Sequence, residues 1–453
     1  MSVLSENDQN SNPNEKSREL VYATWRKQKG WDPLTLTDAE GVYFSDSSGK
    51  KYLDLAAQLM CSNLGHKNRK VINAISKQAE KLAYVTPAFN TEVRGELAKR
   101  LSSVLPDGLK KYFFPPSGTE ANEAAVKIAR MYNKKTGRRK VLSAYNSYHG
   151  STLASQQLTG DFRRMVVESV NSASDFAHFP LPYCYRCPLG LKYPECEVRC
   201  ADYLDFTIKN EGNVAAVIVE PVTGTNGVIV PPKEYLPKVR EITERNDVLL
   251  IADEVMSGWG RTGEWFAVDN WNVSPDILTS AKGITGAYLP LGLTATTKRI
   301  ADYFEDNYFG HGHTYESHPM PMAAAVAAID EYKEKDLITR SKEMGKTLAK
   351  RLEEIKETHR SVGDVRSIGL FGAIEIVKNR NTKEPFNTYQ DKVDNNPMMV
   401  DKVLKRAMEG GVYVNAWISH FVLAPPLIIE KSELEAGLDV MDEALKLADK
   451  EAL

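Results

Sequence analysis

The chain has 453 residues, 42% hydrophobic and 26% charged, with a formal net charge of −2. That length suits two domains or one large lobed domain, and the balanced charge excludes the broad basic field that holds nucleic acid. Five cysteines are too few for a disulfide-built secreted scaffold, and the polar start MSVLSENDQNSNPNEKS has no apolar leader. No apolar run approaches the roughly 20 residues that cross a bilayer, so a soluble cytoplasmic protein with no membrane or nucleic-acid partner is expected.

Residues 1–17 read as a disordered tail rich in Asn, Ser, Glu and Pro. GVYFSDSSGKKYLDL (41–55) reads as a hairpin turning at DSSGK. FFPPSGT leads from a strand-like start into a helix over 120–137, closed by Gly137. YCYRCPLGLKYPECEVRC (183–200) carries four cysteines as C-x2-C and C-x3-C pairs. VAAVIVEP (214–221), VLLIADEV (248–255) and DILTSAK (276–282) read as buried strands. Between the first two, Leu236, Val239 and Ile242 mark an amphipathic helix. A further helix is expected over 320–335. GLFGAIEIV (369–377) and VYVNAWI (412–418) read as strands, and KSELEAGL opens a closing helix with Ser432 as cap before Glu435. Strand–helix–strand alternation argues an α/β fold with a mainly parallel sheet, in which ligands gather at the carboxyl ends of the strands.

Three strand ends carry candidate chemistry. Ser117, Gly118 and Thr119 stand at a helix N-terminus, where free N–H groups and the dipole suit a phosphate; plain N-capping by Ser117 or Thr119 is the alternative. Asp253 and Glu254 end an apolar run, where a carboxylate needs a cation or donor. Lys282 ends another, either as an amine held in a site or as a residue snorkelling to solvent. Taken together, a phosphate seat, a strand-end carboxylate and a strand-end lysine match the needs of pyridoxal phosphate (PLP), with Tyr148 offering an aromatic face.

The motifs NLGH (63–66), SGTEANE (117–123), YHG (148–150), EPV (220–222), IADEVMSGWGRTGEWFA (251–267), AKG (281–283), YLPLG (288–292), HTYESHP (313–319) and APPL (424–427) carry a resemblance. In this order they resemble the class III aminotransferases, PLP enzymes of fold type I, over nearly the whole chain. The resemblance implies that Lys282 is the Schiff-base lysine and Asp253 the partner of the pyridine nitrogen. It places Tyr148 and Val255 on the two faces of the ring, and His149 and Glu220 beside it. Ser117, Gly118 and Thr119 would take the phosphate, joined by Thr314 from a neighbouring subunit, so a homodimer with a shared site is expected, with a tetramer as alternative. The implied large domain, 70–330, holds a mainly parallel seven-stranded sheet. A smaller α/β domain combines 18–69 with 331–453.

Substrate choice rests on one departure. Many class III members place an arginine nine residues before the APPL-type motif to grip a carboxylate; here that position is Asn415. Pyruvate is therefore expected as acceptor rather than 2-oxoglutarate. Arg163, Arg164 and His420 remain as other anion grips. Leu59, Met60 and Phe89 are expected to wall the substrate pocket. The cysteine-rich stretch resembles the same segment of taurine–pyruvate aminotransferases and their omega-aminotransferase relatives, which move a terminal amine to pyruvate. A 4-aminobutyrate or diamine aminotransferase is the alternative within the family, and a PLP decarboxylase or aminomutase the alternative on the same fold. The eight-residue spacer between the cysteine pairs is shorter than the roughly 15–20 of two-knuckle zinc sites. A structural loop without metal is expected there, with a disulfide or a bound metal as alternatives.

Overall fold

The computed structural model describes residues 13–167 and 175–453. Pro13–Leu20 is a helix, α1, where the expected tail overlaps it; residues 1–12 of that tail lie outside the described residues. Glu15 in its first turn suits the helix dipole, and Arg18 pairs with Asp32 at 2.6 Å. The hairpin at 41–55 is present: β1 (Leu36–Glu40), β2 (Tyr43–Asp46) and β3 (Lys51–Asp54) form an antiparallel meander. Asp46 fastens its turn, accepting hydrogen bonds from Ser48 N–H (2.8 Å) and Lys50 N–H (3.1 Å).

The large sheet grows from the apolar runs. Its elements are β4 (Leu109–Phe113), helix α2 (Gly118–Tyr132), β5 (Lys140–Ala144), helix α3 (Phe162–Val167), β6 (Phe176–Phe179), β7 (Val214–Val219), helix α4 (Tyr235–Arg245), β8 (Leu249–Asp253), β9 (Ile277–Ser280) and β10 (Leu293–Thr297). The seven strands lie in the order β4–β10–β9–β8–β7–β5–β6. Every pairing from β9 through β8, β7 and β5 to β6 is parallel, and β10 alone runs against its neighbours. Strands β7, β8 and β9 are buried at every position, as a sheet covered on both faces requires. Each fully buried Val, Ile or Leu there contributes about 1.5–3 kcal/mol. Helix α4 buries Leu236, Val239 and Ile242, the stripe read from the sequence. Helix α2 covers the other side with Ile128 and with Ala121, Ala124 and Ala125, small residues that let it lie close to the strands.

Helix α5 (Pro319–Glu334) leads to the C-terminal part. There β11 (Val362–Ile368), β12 (Phe371–Ile376), β14 (Asn415–Trp417) and β15 (His420–Leu423) form an antiparallel sheet, while β13 (Val412–Tyr413) pairs in parallel with β3. The stretch expected as one strand over 412–418 is thus two, changing sheets at Val414, and it ties the two ends of the chain together. Helix α6 (Lys431–Glu451) begins two residues earlier than read: Glu430 is its cap and Glu433 reaches back to the Glu430 N–H at 2.9 Å, so Ser432 lies inside the helix. Among the described residues no helix is long and apolar enough to cross a membrane.

Candidate active site

Parallel order brings the strand ends together. Strands β8 and β9 are neighbours with Asp253 opposite Thr279, so Asp253 and the segment just past β9 that carries Lys282 emerge side by side. Glu220 follows β7, Tyr148 and His149 follow β5, and α2 starts from the end of β4. The result is a cavity of about 230 Å³ bordered by Ser117, Gly118, Thr119, Asn122, Tyr148, His149, Gly150, Glu220, Asp253, Val255, Met256, Ala281 and Lys282.

Asp253 is the most constrained group. Its Oδ2 accepts from Asn122 Nδ2 (2.8 Å) and lies 2.7 Å from His149 Nδ1, while Oδ1 accepts the Val255 N–H at 3.0 Å. Asn122 is fixed in turn: Nδ2 also donates to the His149 carbonyl (2.8 Å) and Oδ1 accepts from Thr279 Oγ1 (2.6 Å). The Asn122 amide and the Val255 N–H thus supply the hydrogen bonds that a buried carboxylate needs, with His149 alongside. Sequence reading passed over Asn122, although a buried polar residue between alanines on the core face of α2 was the available signal. Glu220 accepts the N–H groups of Tyr148 (2.9 Å) and Gly224 (2.8 Å), so it sets the backbone that presents Tyr148. Burial pushes its carboxyl up to about 7. Burial likewise lowers the Lys282 ammonium, partly opposed by Cys61, Asp253 and Glu220. Lys282 also has a positive φ of 48°, strain of the kind found at sites held by their surroundings.

Ser117 is the N-cap of α2. Its Oγ accepts the Glu120 N–H at 3.2 Å and donates to the Glu120 carboxylate at 2.8 Å. The capping alternative therefore holds for Ser117, while the N–H groups of Gly118 and Thr119, without helical acceptors, stand at the cavity wall. Other expected residues lie apart from this cavity. Thr314 is exposed, its carbonyl accepting from Tyr84 Oη at 2.8 Å. Leu59 and Phe89 are also exposed. Met60 does not wall the cavity: positive φ values at Gln58 and Met60 turn its side chain into the core, where it is 4% exposed. Asn415 is half-buried on β14. His420 is buried, with Nε2 3.0 Å from the Thr225 carbonyl.

Cys184, Cys187, Cys196 and Cys200 border one small separate cavity, and all are free thiols. Among the described residues no group of three or more His, Cys, Asp or Glu is placed to hold a metal ion. Burial raises the Cys184 thiol and pushes Cys200 up to about 12, well away from a reactive thiolate. The loop is fastened to β12, where Glu375 accepts from Arg186 Nε at 2.7 Å and from Tyr183 Oη.

Over residues 25–445 the sequence matches the family Aminotransferase class-III. The chain belongs to the class III aminotransferases. It is 35% identical over 429 residues to the putrescine–pyruvate aminotransferase of Pseudomonas aeruginosa, covering 92% of this chain and 89% of that protein. It is 37% identical over 420 residues to a leucine/methionine racemase of Thermococcus litoralis, covering 91% and 90%. Among solved structures it superposes on a taurine:2-oxoglutarate aminotransferase from Bifidobacterium kashiwanohense, in complex with PLP and glutamate, with a TM-score of 0.91, 38% identity and full coverage of both chains. This class III aminotransferase is a PLP enzyme of omega-transaminase type, with the fold type I architecture. The residues present fit the cofactor. The cavity combines a lysine, a donor-held carboxylate and an open helix N-terminus, and a Cβ at Gly118 would stand 2.8 Å from Val255 Cγ1, so only glycine leaves room there.

Proposed function

We propose that the enzyme moves the terminal amine of a small omega-amino acid, of the taurine or β-alanine class, to pyruvate in two half-reactions on one site. The observation that supports it most is the convergence of Lys282, Asp253 and the α2 N-terminus on one cavity. Bound PLP supplies an aldehyde that captures the amine and a ring that takes up the electrons released at the substrate carbon. Lys282 Nζ, kept below its usual pKa by burial, would take the proton from the substrate carbon as general base and deliver it to the carbon on the far side of the amine nitrogen. Asp253, anchored by Asn122, His149 and the Val255 N–H, holds a proton on the ring nitrogen. The Gly118 and Thr119 N–H groups and the α2 dipole hold the phosphate. Tyr148 and Val255 cover the ring faces, with Glu220 fixing the Tyr148 backbone. Thr314, exposed and outside its own chain's cavity, completes the phosphate seat of a second copy, which makes the active unit a homodimer.

Asn415 in place of an arginine supports pyruvate as acceptor, as does the likeness to the putrescine–pyruvate enzyme. A second reading, transfer to 2-oxoglutarate, is favoured by the full-length likeness to the taurine:2-oxoglutarate enzyme. A panel of donors and keto acids, with every product identified, decides. Taurine or β-alanine should react with pyruvate at least about tenfold faster than with 2-oxoglutarate, about 1.4 kcal/mol in barrier. Equal or faster reaction with 2-oxoglutarate refutes the argument from Asn415. Conversion of an L-amino acid to its D-form as the main reaction refutes amine transfer.

A further inference from the structure

Arg163, on α3, is 6% exposed and enclosed by aromatic rings. Its guanidinium carbon lies 4.0 Å from the ring centroid of Tyr148, 5.0 Å from Trp417 and 5.5 Å from Trp25. Distances under about 6 Å place a cation in the attractive field of an aromatic face. Asp161 grips one edge of the fork: Nε lies 2.9 Å from Oδ2 and Nη2 also bonds that oxygen. Asn226 Nδ2 holds Asp161 Oδ2 in turn at 3.0 Å. Among the described residues Nη1 has no protein partner, so the far edge of the guanidinium is left over. A guanidinium with one edge occupied still offers a planar edge that matches an anion with two oxygens.

The position of this edge gives it meaning. Tyr148 borders the Lys282 cavity, so Arg163 stands just behind its wall, and the charge of Arg163 is among the influences on the Lys282 ammonium, after burial. Trp417 and Asn415 are two residues apart on β14 and so face the same side of the sheet. The ring packed on Arg163 and the site of the missing arginine therefore border the same space. From this we infer that Arg163 is the specificity residue that binds the distal carboxylate or sulfonate of the amino donor, taking over from α3 the task Asn415 cannot perform. This rests on the amine-transfer reading above.

The test is the donor half-reaction of the holoenzyme, followed by the absorbance of the bound cofactor with β-alanine, taurine and a neutral-tailed amine, n-butylamine. In Arg163→Met the ratio of kcat/KM for the anionic donors over butylamine should fall about 100-fold, the usual worth of a charge-assisted pair removed from a dry site. Arg163→Lys, which keeps charge and packing but loses the fork, should fall about tenfold and serves if the first variant does not fold. Calorimetry should show propane-1-sulfonate binding to the wild-type holoenzyme and not to the variants. β-Alanine and taurine separate carboxylate from sulfonate: a loss confined to one names the preferred anion. A ratio within about threefold of wild type, including an equal loss for all three donors, means that Arg163 only supports Tyr148 and overturns the inference while leaving amine transfer intact. A wild-type enzyme inert to both anionic donors overturns both.

Discussion

Replacing Gly118 with alanine tests whether the cavity is built as closely as the structure shows. Gly118 is the first residue of α2 and has no positive φ, so alanine should stabilise the chain by about 0.4–1 kcal/mol through the unfolded state. Packing reverses that sign. The new Cβ would stand 2.8 and 3.0 Å from the two methyls of Val255 and 3.2 Å from Ala281 Cβ. Overpacking of this kind costs about 1–3 kcal/mol, leaving Gly118→Ala net destabilised. Because the Val255 N–H is held by Asp253 at 3.0 Å, displacement of Val255 also disturbs the Asp253 cluster, and PLP affinity should fall about tenfold per 1.4 kcal/mol. Val255→Ala removes both methyls, so Gly118→Ala introduced into that background should be neutral or stabilising, a coupling of about 1–3 kcal/mol. Urea unfolding of the four proteins of the cycle and PLP dissociation constants measure it. A Gly118→Ala protein more stable than wild type, or an equal cost in both backgrounds, refutes the reasoning.

Three further outcomes are expected. Lys282→Ala should lower turnover by at least about 10²–10⁴-fold, with circular dichroism and gel filtration unchanged; normal rates would mean that another group moves the proton. Glu254 is buried with its carboxyl pushed up to about 7 by burial. Its folded-state pKa lies above the unfolded value of about 4.3, so its contribution is fully present below the unfolded value and is lost as pH rises through about 7, on the order of 4 kcal/mol in all. Glu254→Gln can keep the bonds to Val268 N–H and Ser257 and should flatten the fall in urea stability between pH 5 and 8; an unchanged slope refutes the assignment. Finally, a thiol reagent should count five free cysteines after unfolding, with Cys200 slow in the native protein and zinc well below one equivalent. Stoichiometric zinc, or fewer thiols until a reductant is added, would show that the four-cysteine loop holds a metal or a disulfide.

Much of this architecture was legible because it is local. Apolar runs of five or six residues identified β7 and β8, the shorter ILTS marked β9, and charged residues at or just past their ends stood out because burying them is costly. The stripe of Leu236, Val239 and Ile242 marked α4 for the same periodic reason. Asp253 and Lys282 could be read as strand-end residues of parallel strands, and parallel order alone nearly suffices to bring them together.

The residues that shape the site further depend on meetings no local pattern records. Trp25, Tyr148, Arg163 and Trp417 form one cluster from four distant segments. Asn122 belongs to a motif that was visible, yet its part in holding Asp253 required the register of α2 against β8. Leu59 and Met60 are adjacent and chemically alike; only the strained backbone at residues 58–60 sends one to solvent and the other to the core. The run at 412–418 has uniform strand character, and its division between two sheets follows from the partners on either side, β3 and β15. Periodicity and burial cost, properties of neighbouring residues, set the elements and their charged ends. Which loops face one another is set by long-range packing, and it is this that turned four cysteines into a fastened loop and an arginine expected as one of several into a candidate grip for the substrate's anion.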